Sequence, residues 1–170
     1  TTSVSAQFTI PNTFQPPAGN WHVASNWSHG IPARGQTAIV PAGSTVVIAT
    51  APATIDVSNI KIDGNLDVLG PNPGLNVTIR TDRIDIKGRL SIGSSVTPFT
   101  GTARIVLTHQ GIDVGAEAKH IEVHPGGSLL LYGDPTKQSW ARLADGPQWQ
   151  GSTSNPSTLL VEGNALGWAN

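Results

Sequence analysis

Ile60-Lys61-Ile62-Asp63-Gly64-Asn65-Leu66-Asp67-Val68 and, 24 residues later, Ile84-Asp85-Ile86-Lys87-Gly88-Arg89-Leu90-Ser91-Ile92 decide the fold. Each copy alternates apolar with polar residues on both sides of a glycine, the pattern of two half-buried strands. The glycine admits a bend that a Cβ would hinder. Two further copies flank this pair. One runs from Val40 through Gly43 to Val46 and Ile48, the other from Ile121 through Val123, Gly126 and Gly127 to Leu129 and Leu131. Four imperfect copies, each about one coil long, predict an all-β chain: a short parallel β-helix or solenoid-like stack with little helix.

Aligning the glycines of the central pair lays Ile60 over Ile84 and Ile62 over Ile86 on the inward face. On the outward face it lays Lys61 over Asp85 and Asp63 over Lys87, opposite charges in both cases. Such charge pairs favour a register by a few tenths of a kcal/mol. The aliphatic ladders matter more, at roughly 1.5–3 kcal/mol per buried side chain. Lys61 and Ser91, pointing outward, are therefore expected to accept Asp, whereas Ile62 and Ile86 are not.

At 170 residues the chain can bury a core without staples. A net charge of −1 with 12% charged residues gives no footprint for a nucleic-acid backbone. A neutral carbohydrate or a protein partner fits that balance. No apolar run reaches membrane-spanning length. Cysteine is absent, which excludes disulfides and thiolate zinc sites. Methionine is absent even from position 1, as in a processed chain or a piece of a larger one. The sequons Asn26-Trp27-Ser28 and Asn76-Val77-Thr78 make Asn26 and Asn76 candidate glycosylation sites, and the chain reads as secreted.

Outside the copies, Phe8 and Ile10 mark a short strand placed to pair with a sheet edge. Gly19 to Gly35 is rich in turn residues and holds Trp21 and Trp27, as expected of an N-terminal cap over the open core. Leu75, Val77 and Ile79 alternate as a strand, and Ala103 to Leu107 form another. Gly111 to Ala118 reads as an insertion, Lys137 to Ala144 as a helical turn or an extended segment, and Ser157 to Glu162 as a final strand.

Several segments together resemble the G8 domain, a glycine-rich extracellular module. They are Asn26-Trp27 with Gly30-Ile31-Pro32 and Gly35, Val40-Pro41-Ala42-Gly43, the two central copies, Pro98-Phe99-Thr100-Gly101, and Leu131-Tyr132-Gly133-Asp134-Pro135 with Ser139-Trp140-Ala141-Arg142-Leu143. The resemblance implies an all-β module of cell-surface and secreted proteins, some linked to hyaluronan, in which a longer β-helix usually follows. It divides the chain into an N-terminal arm at 1–19, a G8-like solenoid at 20–146, and a C-terminal strand with the start of a continuation at 147–170.

His120, Glu122 and His124 alternate with Ile121 and Val123 and so share one strand face. Residues so placed can share a metal, but a solvated polar face accounts for them, and no metal or cofactor is assigned. Asp56, Asp63, Asp67, Asp82 and Asp85 could hide a glycosidase pair. Strand alternation already explains Asp63, Asp67 and Asp85, so no catalytic residue is assigned. Trp21 and Trp149 are the expected sugar contacts, by stacking on aromatic faces. Trp27 and Trp140 belong to the family pattern and read as fold residues. The chain is thus expected to be a non-catalytic extracellular module binding polysaccharide or a surface protein. The alternatives are a subunit that self-associates through strand edges or stack ends, and the first part of a polysaccharide-degrading β-helix enzyme.

Overall fold

The computed structural model describes residues 9–50, 53–70, 74–108 and 119–134, with backbone alone at 142–143 and 161–162. The chain divides into two compact units, Thr1–Tyr132 and Gly133–Asn170.

The first unit is a β-solenoid of about 4 turns built from three parallel sheets. One face stacks β1 (Ile10–Thr13), β3 (Gln36–Val40), β6 (Asn59–Ile62), β9 (Arg83–Ile86) and β12 (His120–Val123). The second stacks β2 (Ala18–Asn20), β4 (Thr45–Ile48), β7 (Asn65–Val68), β10 (Arg89–Ile92) and β13 (Ser128–Leu131). The third holds β5 (Ala53–Asp56), β8 (Asn76–Thr81) and β11 (Thr102–Leu107). Sequence alternation had marked β8 and β11 as separate strands. The structure adds β5 and makes the three a common side of successive coils.

The registers are those of the aligned copies. Ile60 faces Ile84 and Ile62 faces Ile86. Ile121 and Val123 continue the same rows, as do Leu129 and Leu131 beside Leu90 and Ile92. Val40, Val46 and Ile48 begin them. On the third face Ile55, Ile79 and Ile105 form another ladder. Ile60, Ile62, Leu66, Ile84, Ile86 and Leu90 are all 0% exposed. Their burial is the main source of stability, at roughly 1.5–3 kcal/mol each.

The outward charges pair differently from expectation. Lys61 does lie beside Asp85 in register, yet its Nζ approaches Asp63 of its own chain segment at 3.5 Å. Asp85 takes Arg83 instead, at 2.7 Å. Partly exposed pairs of this kind contribute little. Ser91 is outward but only 8% exposed, and its Oγ donates to Asp67 Oδ1 at 2.7 Å. Aspartate there would meet the Asp67 carboxylate, so the expected tolerance at Ser91 does not hold.

At the corner between the first and second faces, two consecutive N–H groups share one carbonyl of the coil before. Asp63 and Gly64 donate to Val40 O, and Lys87 and Gly88 to Ile62 O, at 2.8–3.0 Å. Neither Gly64 nor Gly88 has a positive φ, so conformational freedom is not what requires them. A Cβ at Gly64 would collide with the carbonyls of Pro41 and Ser44, and one at Gly88 with that of Gly64. Space between coils is the requirement.

The first coil has only two strands, and residues 21–35 take the place of its third side. They contain the single 3-10 turn, Ala24–Asn26, and there is no α-helix among the described residues. Trp27 packs edge-on against Phe14 and Trp21, with ring centres 5.2 and 4.8 Å away, and its indole N–H donates to Trp21 O. Buried Asn12 ties this cap down by donating to Gly30 O and Gln36 Oε1. Ile10 sits in β1, paired with β3 of the same chain, while Phe8 lies outside the described residues. Arg34 reaches along the corner from the third face to the first. It donates to Val57 O and Thr108 Oγ1 and pairs with Asp56 and with nearly buried Asp82. One cap residue therefore fastens three successive coils.

In the second unit β14 (Arg142–Leu143) pairs antiparallel with β15 (Val161–Glu162). The rest of the Lys137–Ala144 and Ser157–Glu162 segments, and the 111–118 insertion, lie outside the described residues. Among the described residues no helix is long and apolar enough to cross a membrane.

Gly88→Ala should destabilise the domain by at least about 1–3 kcal/mol, because the clashing atoms are backbone. Gly74→Ala, with nothing near the added methyl, should stay within about 0.5 kcal/mol of the parent. Urea denaturation compares them, and equal midpoints would refute the close-packed corner.

Candidate functional site

The outward faces of β7, β10 and β13 form the floor of a groove of about 280 Å³. Register places Asp67, Ser91 and Leu130 in one row across the three strands. Beyond the strand ends, Leu69, Gly93 and Tyr132 extend the floor. Gly93 N–H donates to Val68 O and Tyr132 N–H to Ile92 O, both at 2.8 Å. The turn Ser94–Thr97 forms one wall. Thr97 N–H donates to Ser94 Oγ at 2.9 Å, and the two hydroxyls lie 2.7 Å apart. Buried Phe99 anchors the turn, with its N–H on Tyr132 O.

Arg89 grips Asp67 with two N–H groups, Nη2 at 2.8 Å and Nε at 3.3 Å, and Ser91 Oγ completes the set. This fixes both the carboxylate and the guanidinium while leaving Arg89 partly exposed. The floor of the groove therefore joins a fixed polar patch of carboxylate, guanidinium and hydroxyl to an apolar strip of Leu69, Leu130 and Tyr132. That combination suits a ligand with hydroxyls on its rim and C–H groups on its face. Among the described residues Asp67 is the one carboxylate lining it.

The residues expected from sequence fall elsewhere. Trp21 is 1% exposed and packed on Trp27, so its face is closed to a ligand. Its position outside the repeats reflects the cap, whose aromatic rings complete the core. Trp149 and Trp140 lie outside the described residues. Asn26 is half-buried, and its amide nitrogen donates to Asn20 O at 3.0 Å. Asn76 is exposed at the start of β8. Asp56 and Asp82 flank Arg34. Asp63 has Lys61 as its neighbour. His120, Glu122 and His124 share a face, as alternation requires, and register brings Asp85 beside Glu122. Asp67, Arg89 and Ser91 were visible as outward positions of aligned copies. Nothing in the repeat pattern marked the turn that walls them in.

In the cap, His22 follows Trp21, and both its ring nitrogens are enclosed without a hydrogen-bond partner. Burial lowers its pKa below the ordinary 6.5. The unfolded chain thus takes up a proton near pH 6.5, and the folded chain only at lower pH. Between those values the unfolded state binds more protons, so stability is full at neutral pH and falls as pH drops below about 6.5. His22→Phe should flatten the loss of stability between pH 7.5 and 5, measured by urea denaturation. An unchanged slope would remove His22 from the account.

Neither the curated proteins nor the solved structures yield a match to the chain. The family model described as G8 domain matches residues 26–144, which take in the end of the cap segment from Asn26, the central coils and the groove. With most of its length inside that match, the chain belongs to the G8 domain family.

Proposed function

We propose that the chain is a non-catalytic extracellular module that binds polysaccharide, and that one stretch of the polymer lies in the groove over β7, β10 and β13. G8 membership and the solenoid fold fit an extracellular module. The observation that carries the binding reading is the groove, with Arg89, Asp67 and Ser91 held in a fixed array opposite Leu69 and Tyr132. Its volume of about 280 Å³ lies just below the roughly 300–1,000 Å³ of small-molecule sites. An open groove of that size suits a sugar unit of a chain passing across it. Hydroxyls meet the charged array, and hydrogen bonds to charged groups contribute about 1.5–3 kcal/mol each. The C–H face of the ring meets Tyr132 and the leucines.

Affinity electrophoresis through hyaluronan and through a neutral glucan tests this. The parent chain should be retarded in at least one gel, and Arg89→Ala and Tyr132→Ala should each lose most of that retardation. Arg80 is as exposed as Arg89 and lies on the third face, so Arg80→Ala should behave as the parent. No retardation in either gel, or equal loss in Arg80→Ala, would overturn the proposal.

A further inference from the structure

The outward side of the first sheet carries a cluster that the groove does not use. We propose that Asp85, Glu122 and His124 bind a first-row divalent cation of the zinc class. Pairing of β9 with β12 sets Glu122 directly beside Asp85 and His120 beside Arg83. His124 follows β12 and is held by its N–H on Ile86 O at 2.9 Å. One ligand atom from each of the three residues lies within 4.8 Å of the others.

The imidazole stands between the two carboxylates. Its Nδ1 is 3.6 Å from Glu122 Oε1 and its Nε2 is 3.9 Å from Asp85 Oδ1. Ligand atoms around a tetrahedral zinc, with bonds of about 2.0–2.1 Å, are separated by roughly 3.4 Å. One ring nitrogen faces the ion, so side-chain rotation has to draw the three ligand atoms, which lie within 4.8 Å of one another, in to that separation. One imidazole with two carboxylates suits zinc and its neighbours better than calcium or magnesium, which favour oxygen alone. All three side chains are partly exposed, at 21%, 46% and 26%, so water can fill the remaining position.

Two neighbours set the strength of the site. Arg83 donates to Asp85 Oδ1 at 2.7 Å and to Glu122 Oε2 at 3.2 Å. It orients both carboxylates, as outer partners of metal ligands do, and leaves Glu122 Oε1 facing His124. Its positive charge offsets one of the two carboxylates, so the cluster keeps a net negative charge but binds less tightly than it would without the arginine. His120 Nε2, 3.6 Å from Glu122 Oε2, stands ready on the far side.

The test is calorimetric titration of the metal-stripped chain with zinc chloride, with magnesium and calcium chlorides in parallel. The parent should bind zinc in a saturable one-site isotherm and neither of the others. His124→Ala and Glu122→Gln should each weaken zinc at least ten-fold, and Arg83→Gln should tighten it. The melting temperature of each variant without metal shows whether it still folds. Exposed His29, in the cap, is the control for scattered imidazole binding. Absence of saturable zinc binding, unchanged affinity in folded His124→Ala, or equal loss in His29→Ala would each overturn the site.

Discussion

Coil spacing is the constraint on which the rest of the structure depends. Parallel backbone hydrogen bonds fix successive coils about 4.8 Å apart, and side chains inside must then stack like on like. That is why isoleucine lies on isoleucine from β6 to β9, and Ile121 and Val123 lie on Ile84 and Ile86 from β9 to β12. The same spacing makes the corner glycines a requirement of volume, since the carbonyls of one coil occupy the room a methyl would need in the next. An all-parallel stack has no hairpins to close it. Its open end must be covered by something other than a regular coil, and the aromatic trio of Phe14, Trp21 and Trp27 does this at the N-terminal end.

The outward face inherits the same regularity. Residues at equivalent positions in successive coils become neighbours, so polar groups far apart in sequence form short rows. Asp67 meets Ser91, 24 residues on, in one such row, and Arg89, the register partner of Asn65, reaches it diagonally. Asp85 meets Glu122 in another. What turns the first row into a groove is the irregular turn at Ser94–Thr97, which lines it. Function on this scaffold is therefore expected where a loop departs from the repeat.

Much of the fold was legible because its determinants are local. Alternation about Gly64 and Gly88 fixes two strands and a corner within nine residues, and aligning the copies yields the register. The solenoid follows from the same residues, and the G8 resemblance from them together with Asn26-Trp27, Pro98-Phe99 and the segments at 131–143. The groove was less legible, since it depends on how far a turn overhangs a sheet, and composition carries no trace of that. Trp21, an expected sugar contact, is buried for a physical reason: the place where the repeat stops is where the core most needs large apolar rings, and Trp21 fills it. Asp85 beside Glu122 was hidden. Aligning Gly88 with Gly127 sets His124 over Asp85, because the last copy holds two more residues between its strands than the copy before it, so the register before the corner differs from that after it.

The central claim is that equivalent residues of successive coils are lateral neighbours, and the chain's lack of cysteine makes a direct measurement simple. Lys61 and Asp85 are register partners on adjacent parallel strands, at a spacing within the roughly 4.4–6.8 Å that a disulfide spans. Oxidation of the double variant Lys61→Cys with Asp85→Cys, read by mass spectrometry, should give an intrachain disulfide in high yield. The displaced pair Lys61→Cys with Lys87→Cys should remain reduced under the same conditions. Preferential bridging of the displaced pair, or equal yields from the two, would contradict the stacking on which the account rests.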